Sequence, residues 1–530
     1  MKLVRCKTPT GSCCLAAVAF GLAAQAQMTT SQYDNARTGA YLSEKTLTPR
    51  NVNPRQFGKL FTMKVDGDVY AQPLFLAGVP IPGQGKHDVV FIATEHDSVY
   101  AFDAYGNPSA PLWQVSFLKD GATTVPARDV ACPFIVPEVG ITSTPVIDAK
   151  TGTLYVLARS KTGHVLTRNE FHQQLHALAV TNGVEKFGGP VEIQASVPGH
   201  GAGASMGTVT FGPLRENPRA ALLLSNGMVY ATWGSSCDVG PYHGWVMAYD
   251  AQSLKQRAAY NASPDGDDSG IWASDAGPAA DREGNVFVAT GNGRFDAAKG
   301  GRDFGDALLK LHFDGQNLRP IDYFAPFNVE ELDASDSDLG SGGPVLLPDQ
   351  PGPHPHLAVV GGKGSTLYVL DRDHLGAYRS ENNDQAVQTV PTQGGIFGSI
   401  AYWNHHVYVL SEGDSLRDYE VKDAKLNFRA SSSFRFEDHA ATPAISANGA
   451  TDGIVWVASS KGWNSPDRLA VLHACDALNI GHELYNSNQN APRDKAGKAL
   501  RFNIPMIVNG HVYVGAKGEV DVYGLLPVGR

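Results

Sequence analysis

The sequence predicts an all-β fold, an eight-bladed β-propeller of four-stranded antiparallel blades closed by an N-terminal strand, and three observations predict it. Short strands rich in Val, Tyr and Leu recur as adjacent pairs, eight times along the chain. Most pairs follow a strand marked by Pro or Gly and precede a more variable one, so each unit holds four strands, the pattern of propeller blades. The last unit stops after three strands, at Leu526, while an unassigned strand, Phe57 to Val65, can supply its fourth and remove the exposed sheet edges.

Taken in order, the chain opens with a basic start (Lys2, Arg5, Lys7), an apolar stretch from Cys13 to Ala24 and the small-residue site Ala24-Gln25-Ala26. This reads as a signal peptide over residues 1–26, which places the remainder outside the cytoplasm, in the periplasm or the extracellular space. The apolar run is shorter than the roughly 20 residues that span a bilayer, and no later segment reaches that length, so no membrane span is expected. Cys13 and Cys14 precede the apolar stretch, which argues against a lipid anchor. Cleavage removes three cations and no anion, taking the formal charge from −10 to −13. That acidity, with no Lys/Arg cluster interleaved with aromatics, excludes nucleic acid as a partner.

Three cysteines follow the cleavage site: Cys132, Cys237 and Cys475. One disulfide and one thiol are expected in an oxidising compartment. Cys132 with Cys237 is the preferred pair, because both lie in irregular segments whereas Cys475 ends a strand-like run, but the sequence leaves the pairing open. There is no Cys-x-x-Cys-His, hence no covalently attached haem.

No Pro/Ser-rich linker or change of composition divides residues 27–530, so they are read as one domain. The eight pairs run from VVFIATEHDSVYAFD (from Val89) through TLYVLARS with QLHALAV, MVYATWGS with GWVMAYDA, and NVFVATGN with ALLKLHFD. They continue with HLAVVGGKGSTLYVLDRD (from His356), HVYVLSEGDSLRDYEV (from His406), IVWVASSK with RLAVLHACD, and HVYVGAKGEVDVYGLL (from His511). Leading strands include Ser143 to Asp148, Gly342 to Pro348 and Ala441 to Ser446. Helical periodicity is scarce throughout, which disfavours a helical or doubly wound fold.

The units resemble the repeat of the pyrroloquinoline quinone (PQQ) dehydrogenases, in which a strand ending in Tyr-x-x-Asp or Ala-x-Asp leads into a turn. Here it stands as Val99 to Ala104, Val246 to Ala251 and Leu367 to Asp373; of the Gly and Trp that follow in the family, only Leu112-Trp113 comes close. The order of polar motifs also resembles the cofactor site of the quinoprotein alcohol dehydrogenases. Asp238 falls where the family has a metal-ligating Glu, and Ser235 near a cofactor-binding Ser. Trp272, in SGIWAS, resembles the tryptophan under the quinone ring, where a flat indole offers a stacking surface. Asn292, in ATGNG, matches a Thr-Gly-Asn whose amide oxygen binds the cation. Asp336 and Asp338, in SDSDLG, resemble an Asp-x-Asp whose first carboxylate is the catalytic base and whose second is an extra ligand of lanthanide-using members. Lys363 stands where the family sets a cation against the quinone oxygens.

What the resemblance implies is a PQQ-dependent dehydrogenase of alcohols, polyols or sugars. Ca²⁺ or a lanthanide would be held by Asp238, Asn292, Asp336 and Asp338, hard ions preferring such oxygens. Lys363 and the cation would polarise the quinone, and Asp336 would take the substrate's hydroxyl proton. Electrons would leave to a separate acceptor. Three positions depart from the family. Its adjacent Cys-Cys ring is reduced to Cys132 between Ala131 and Pro133. An Asn-Arg pair that anchors cofactor carboxylates is replaced by Pro137 and Glu138. Ser335 replaces the Trp before the base.

Each residue also has a plainer role. Trp272 fits a core aromatic, Asn292 the Asn-Gly of a hairpin turn, Asp336 and Asp338 a solvated acidic loop, and Lys363 a turn. The alternative from another class is a non-catalytic PQQ-repeat propeller that binds a protein or a glycan, resembling the scaffold propellers of outer-membrane assembly. Convergence of the polar set on one cavity separates the two. Other signals are weaker. Asp265, Asp267 and Asp268 lack the closing Glu of a calcium loop, with Ala276 there instead. His354, His356, His405 and His406 lack partners at metal spacing. Ser205 does not sit in a Gly-x-Ser-x-Gly elbow.

Overall fold

In the computed structural model, residues 27–106, 110–163, 170–437, 439, 441–465 and 467–527 are described; the expected signal peptide lies outside them. Eight antiparallel blades run over 74–116, 146–192, 223–261, 279–325, 345–391, 401–435, 444–486 and 506–525, strands following sequence order within each. Blade 8 takes its fourth strand from Phe57–Lys64, paired from Phe57↔Leu525 to Lys64↔Glu519. The closing strand is the one expected from the sequence.

The repeat has a physical explanation. An aspartate ends the third strand in several blades, and its carboxylate accepts backbone N–H groups of the turn that follows. Tyr105 N donates to Asp103, Ser253 N to Asp250, Asn317 N to Asp314, Asp373 N to Asp371 and Leu478 N to Asp476, each within 2.8–3.0 Å. These are Asx turns, which a short acceptor side chain sets up locally. The alanine after the aspartate ties the ring together. A second-strand tyrosine of one blade donates to its carbonyl in the next: Tyr155 to Ala251 at 2.6 Å, Tyr408 to Ala477 at 2.8 Å and Tyr513 to Ala104 at 3.2 Å. The indole of Trp113 serves the same end, donating to Val180 at 3.0 Å across a glycine, Gly183, where a Cβ would meet the ring at 2.8 Å. Tyr155→Phe is expected to lower the unfolding free energy by about 1 kcal/mol, measured as a shift in the denaturant midpoint at unchanged slope.

Apolar residues of facing sheets fill the space between blades, with Trp233, Trp245, Trp403 and Trp456 among the largest fully buried side chains. The inner strands are short and begin just after Pro145, Pro344 and Pro443, positions that need no N–H.

Residues 27–44 show no strand periodicity, yet they bond to every blade. Gln27 and Met28 pair with Leu76 and Phe75 of blade 1. The carbonyl of Thr29 accepts from Ile147 N of blade 2, and Asn35 Nδ2 donates to Leu224 O of blade 3. Carbonyls of Asn35, Ala36, Thr38 and Gly39 accept from Ala280, Leu346, Tyr402 and Ile445 in blades 4 to 7. Tyr33 accepts from Ile507 N of blade 8 at 2.7 Å. At the centre Arg37, fully buried, donates to Pro278 O (2.9 Å), Ser31 O (2.7 Å), Thr30 Oγ1 (2.8 Å) and Leu222 O (3.2 Å). Burial lowers its pKa to about 10. This segment is a plug at the level of the inner strands, and it blocks the channel.

Among the described residues no helix is long and apolar enough to cross a membrane.

Candidate active site

In a blade the first strand begins, and the second ends, at the same end of the ring. The connections between blades and the second-to-third-strand loops therefore gather on one face. A cavity of about 480 Å³ opens there, and every lining residue comes from one of those two kinds of segment. Asp238 and Lys363 come from second-to-third-strand loops of blades 3 and 5, Trp272 and Asp336–Asp338 from connections into blades 4 and 5. Its volume is in the range of small-molecule and cofactor sites.

The polar set predicted from sequence converges on it. Lys363 Nζ lies 2.6 Å from Asp336 Oδ1 and 3.5 Å from Asp338 Oδ2. It sits 5.5 Å from the centre of the Trp272 ring, and Trp272 Nε1 donates to Asp338 Oδ2 at 3.2 Å. Asn292 is tied to the set through Asp336, its Nδ2 donating to Oδ1 at 2.9 Å. Asp238 Oδ1 accepts from Ser235 Oγ (2.8 Å) and Tyr242 (2.9 Å). Ser235 thus lines the cavity while bracing Asp238.

The electrostatics follow from burial. Asp338 is almost wholly buried, and desolvation raises its pKa to about 6 despite the opposing pull of Lys363. The Lys363 ammonium is held above its ordinary range, burial opposing and the charges of Asp338 and Asp336 outweighing it. Asp336 is 66% exposed on its side chain and faces solvent at the mouth.

Much of the wall carries no signal in the sequence. Residues 123–139, between blades 1 and 2, form a flap that pairs with the long second strand of blade 2 at Ser160↔Thr124 and Lys161↔Thr123. Lys161 grips Asp129 at 2.5 Å. Cys132 on this flap is joined to Cys237 in the blade 3 loop, and both line the cavity. The preferred pairing is the one formed. Cys475 is buried in its strand, which pushes its thiol to about 12 and leaves it inert. Asn217 and Arg219 also reach the cavity, from the Glu-Asn-Pro-Arg run before blade 3, as do Phe397, Arg501 and Phe502. A cation at Arg219 thus lies in the wall although the family's Asn-Arg pair is replaced.

Behind the flap, Glu95 Oε2 accepts from Gly140 N (2.7 Å) and Thr142 Oγ1 (3.1 Å), while Oε1 is buried without a hydrogen bond. Burial raises its pKa from 4.5 to about 8. The fold binds this proton more tightly than the unfolded chain does. The stability it contributes is therefore complete below about pH 4.5 and is lost as pH rises through about 8. Glu95→Gln is expected to match the parent's melting temperature at pH 5 and exceed it at pH 9; parallel declines in both proteins would contradict this.

The weaker sequence signals resolve as structure. Asp265 is bound by Arg302 at 2.6 Å in an acidic turn. His354 pairs with Asp371 (2.8 Å), His356 with Asp373 (2.7 Å) and His406 with Asp418 (2.7 Å) at strand ends.

Two observations bear on a hard cation. Asn292 Oδ1 and Asp338 Oδ1 are both buried with no hydrogen-bond partner. These orphaned oxygens, on residues linked through Asp336 and Lys363, are the donor type such an ion takes. Among the described residues no group of three or more His, Cys, Asp or Glu is gathered as a preformed cage; Lys363 lies between Asp336 and Asp338 instead. Asn292 and Asp338 thus offer two buried oxygens of the type that suits a hard cation.

No protein-family model matches the chain, and no curated protein matches it. Solved structures do. A quinohemoprotein alcohol dehydrogenase from Pseudomonas putida HK5 superposes with a TM-score of 0.62 at 14% identity, over 95% of this chain and 82% of its own. The fold is that of the quinoprotein alcohol dehydrogenases. The quinohemoprotein alcohol dehydrogenase of Comamonas testosteroni gives 0.62 at 14%, over 94% and 80% of the two chains. A europium-containing methanol dehydrogenase gives 0.58 at 13%, over 94% and 98%. In this propeller the cavity lies over the channel that the plug closes.

Proposed function

We propose that the chain is a quinone-dependent dehydrogenase of alcohols, polyols or sugars, exported by its first 26 residues and delivering electrons to a separate acceptor. The observation that carries this reading is the convergence of Asp238, Trp272, Asp336, Asp338 and Lys363 on one cavity, with Asn292 bonded to Asp336. A scaffold has no need of it. The likeness to alcohol and methanol dehydrogenases supports the reading at the level of the fold.

When bound, PQQ supplies the hydride acceptor and a Ca²⁺ or lanthanide ion the Lewis acidity. The chain's own residues do the rest. The Trp272 indole offers a planar surface in the wall, and the Cys132–Cys237 bridge and the flap line the same cavity. Asp336, exposed at the mouth, takes a hydroxyl proton. Lys363 and Asn292 both bond its Oδ1 and so fix the carboxylate, leaving Oδ2 without a hydrogen bond among the described residues. Lys363 also supplies positive charge beside Trp272, where it stabilises a developing oxyanion. Asn292 and Asp338 would hold the cation with Asp238 and Asp336.

Calorimetric titration of the full chain with PQQ, with and without Ca²⁺ or La³⁺, tests the proposal. Cation-dependent binding together with dye reduction in the presence of alcohols is expected; absence of binding under every cation condition would leave a binding propeller instead.

A further inference from the structure

A second group of polar side chains shares this cavity and takes no part in the Asp336–Lys363 set. Asn217 and Arg219 are 5% and 6% exposed and line the wall formed by the entry to blade 3. Asn217 Nδ2 donates to Ser235 O at 3.2 Å, but its Oδ1, though buried, accepts nothing. Arg219 lies beside Asp275, with Nε 3.3 Å from Oδ1 yet too poorly aligned to hydrogen-bond, and only a long 3.5 Å bond from Nη2. Its guanidinium is packed over two rings, Tyr70 at 5.7 Å and Phe502 at 5.1 Å, and Arg501 packs on Phe502 at 5.1 Å as well.

An ion pair that served only the fold would align its donors with its own carboxylate. Here the rings hold the guanidinium in place beside Asp275, whose Oδ1 is likewise buried without a hydrogen bond, and the amide oxygen of Asn217 is left unmade, while both Arg219 and Asn217 line the cavity. Buried polar groups are rarely left so. We propose that Arg219 and Asn217 form a carboxylate-recognition site, taking a ligand that presents a carboxylate next to an N–H or O–H donor. The planar fork of Arg219 takes the carboxylate, and Asn217 Oδ1 accepts from the neighbouring donor. Two sources share that chemistry: a carboxylate of the quinone cofactor, or an acidic substrate such as a hydroxy acid. The choice of source rests on the dehydrogenase reading; the site itself does not.

The first test needs no quinone, cation or turnover. Calorimetric titration of the full chain with indole-2-carboxylate, whose carboxylate adjoins a ring N–H, is expected to show binding that indole-2-carboxamide lacks. Arg219→Met should weaken the acid about tenfold to a hundredfold, the range for hydrogen bonds to a charged group, and Arg219→Lys should restore part of it. The double variant R219M/D275N removes both charges together and should behave as R219M does, which separates recognition from misfolding. Equal affinity of the acid for R219M and the parent, or no binding to the parent, would overturn the site. For the source, R219M should weaken PQQ but not its trimethyl ester if the cofactor brings the carboxylate. If the substrate brings it, KM should rise for hydroxy acids alone at unchanged kcat. Binding of indole-2-carboxylate without binding of PQQ would retire the dehydrogenase reading and keep the carboxylate site.

Discussion

Replacement of Asp336 by asparagine is expected to lower quinone-dependent dye reduction by about 10²- to 10⁴-fold, the usual contribution of a positioned general base, measured at saturating cation because Asp336 is also one of the proposed cation ligands. The substitution is nearly isosteric. An amide oxygen can still accept from Lys363 Nζ and Asn292 Nδ2, which now bond Oδ1 at 2.6 and 2.9 Å, so the geometry at the mouth survives. What is lost is the ability to take a proton. Because Asp336 is largely exposed, the change creates no buried defect, and the melting temperature should be nearly unchanged. A variant that turns over at the parent's rate would remove Asp336 from the chemistry. Asp338 would then be the carboxylate to examine, although its Oδ2 is already engaged by Trp272 and Lys363.

The second large effect concerns stability. Arg37→Met should destabilise the propeller by about 3–5 kcal/mol, since four acceptors lose their donor and each buried unsatisfied group costs about 1–3 kcal/mol, with partial relaxation. Those acceptors belong to the connection into blade 3 (Leu222), the connection into blade 4 (Pro278) and the plug itself (Thr30, Ser31), so the loss falls on the joint between plug and ring. Arg37→Lys should recover only part of it, because one ammonium cannot span a fork that bonds in three directions. Chemical denaturation monitored by tryptophan fluorescence measures both; a shift under 1 kcal/mol for the methionine variant would show that the plug is not held by Arg37.

How much of this was legible in the sequence depended on whether a residue's partners lie nearby in the chain. The blades were legible because strand alternation and the Asp-ended turns are local: Asp103 bonds Tyr105, and Asp250 bonds Ser253. The closing strand was legible by subtraction, as the one strand without a blade. The plug was not, since its hydrogen bonds run to segments as distant as Ile507 and leave no period to detect. In the candidate site, motifs resembling a known family brought out Asp238, Trp272, Asn292, Asp336, Asp338 and Lys363. Arg219 and Asn217 stand in a run that resembles nothing in that pattern, and their place in the wall follows only from how blades 3 and 8 meet the cavity. The flap and its bridge to Cys237 were half legible: the cysteines were visible, the wall they build was not.

The pairing of Phe57–Lys64 with the last strand, and of Tyr33 with Ile507, has a consequence for how the molecule comes into being. The residues that close the ring and plug its channel are synthesised well before their partners, Tyr33 474 residues ahead of Ile507. No ribosome-bound fragment lacking residues 506–525 can complete either contact, so ring closure waits until that segment has been made. Contacts spanning nearly the whole chain give slow folding. Until that segment is made the plug can bond the inner strands of blades 1 to 7 but not that of blade 8, and Tyr33 lacks Ile507.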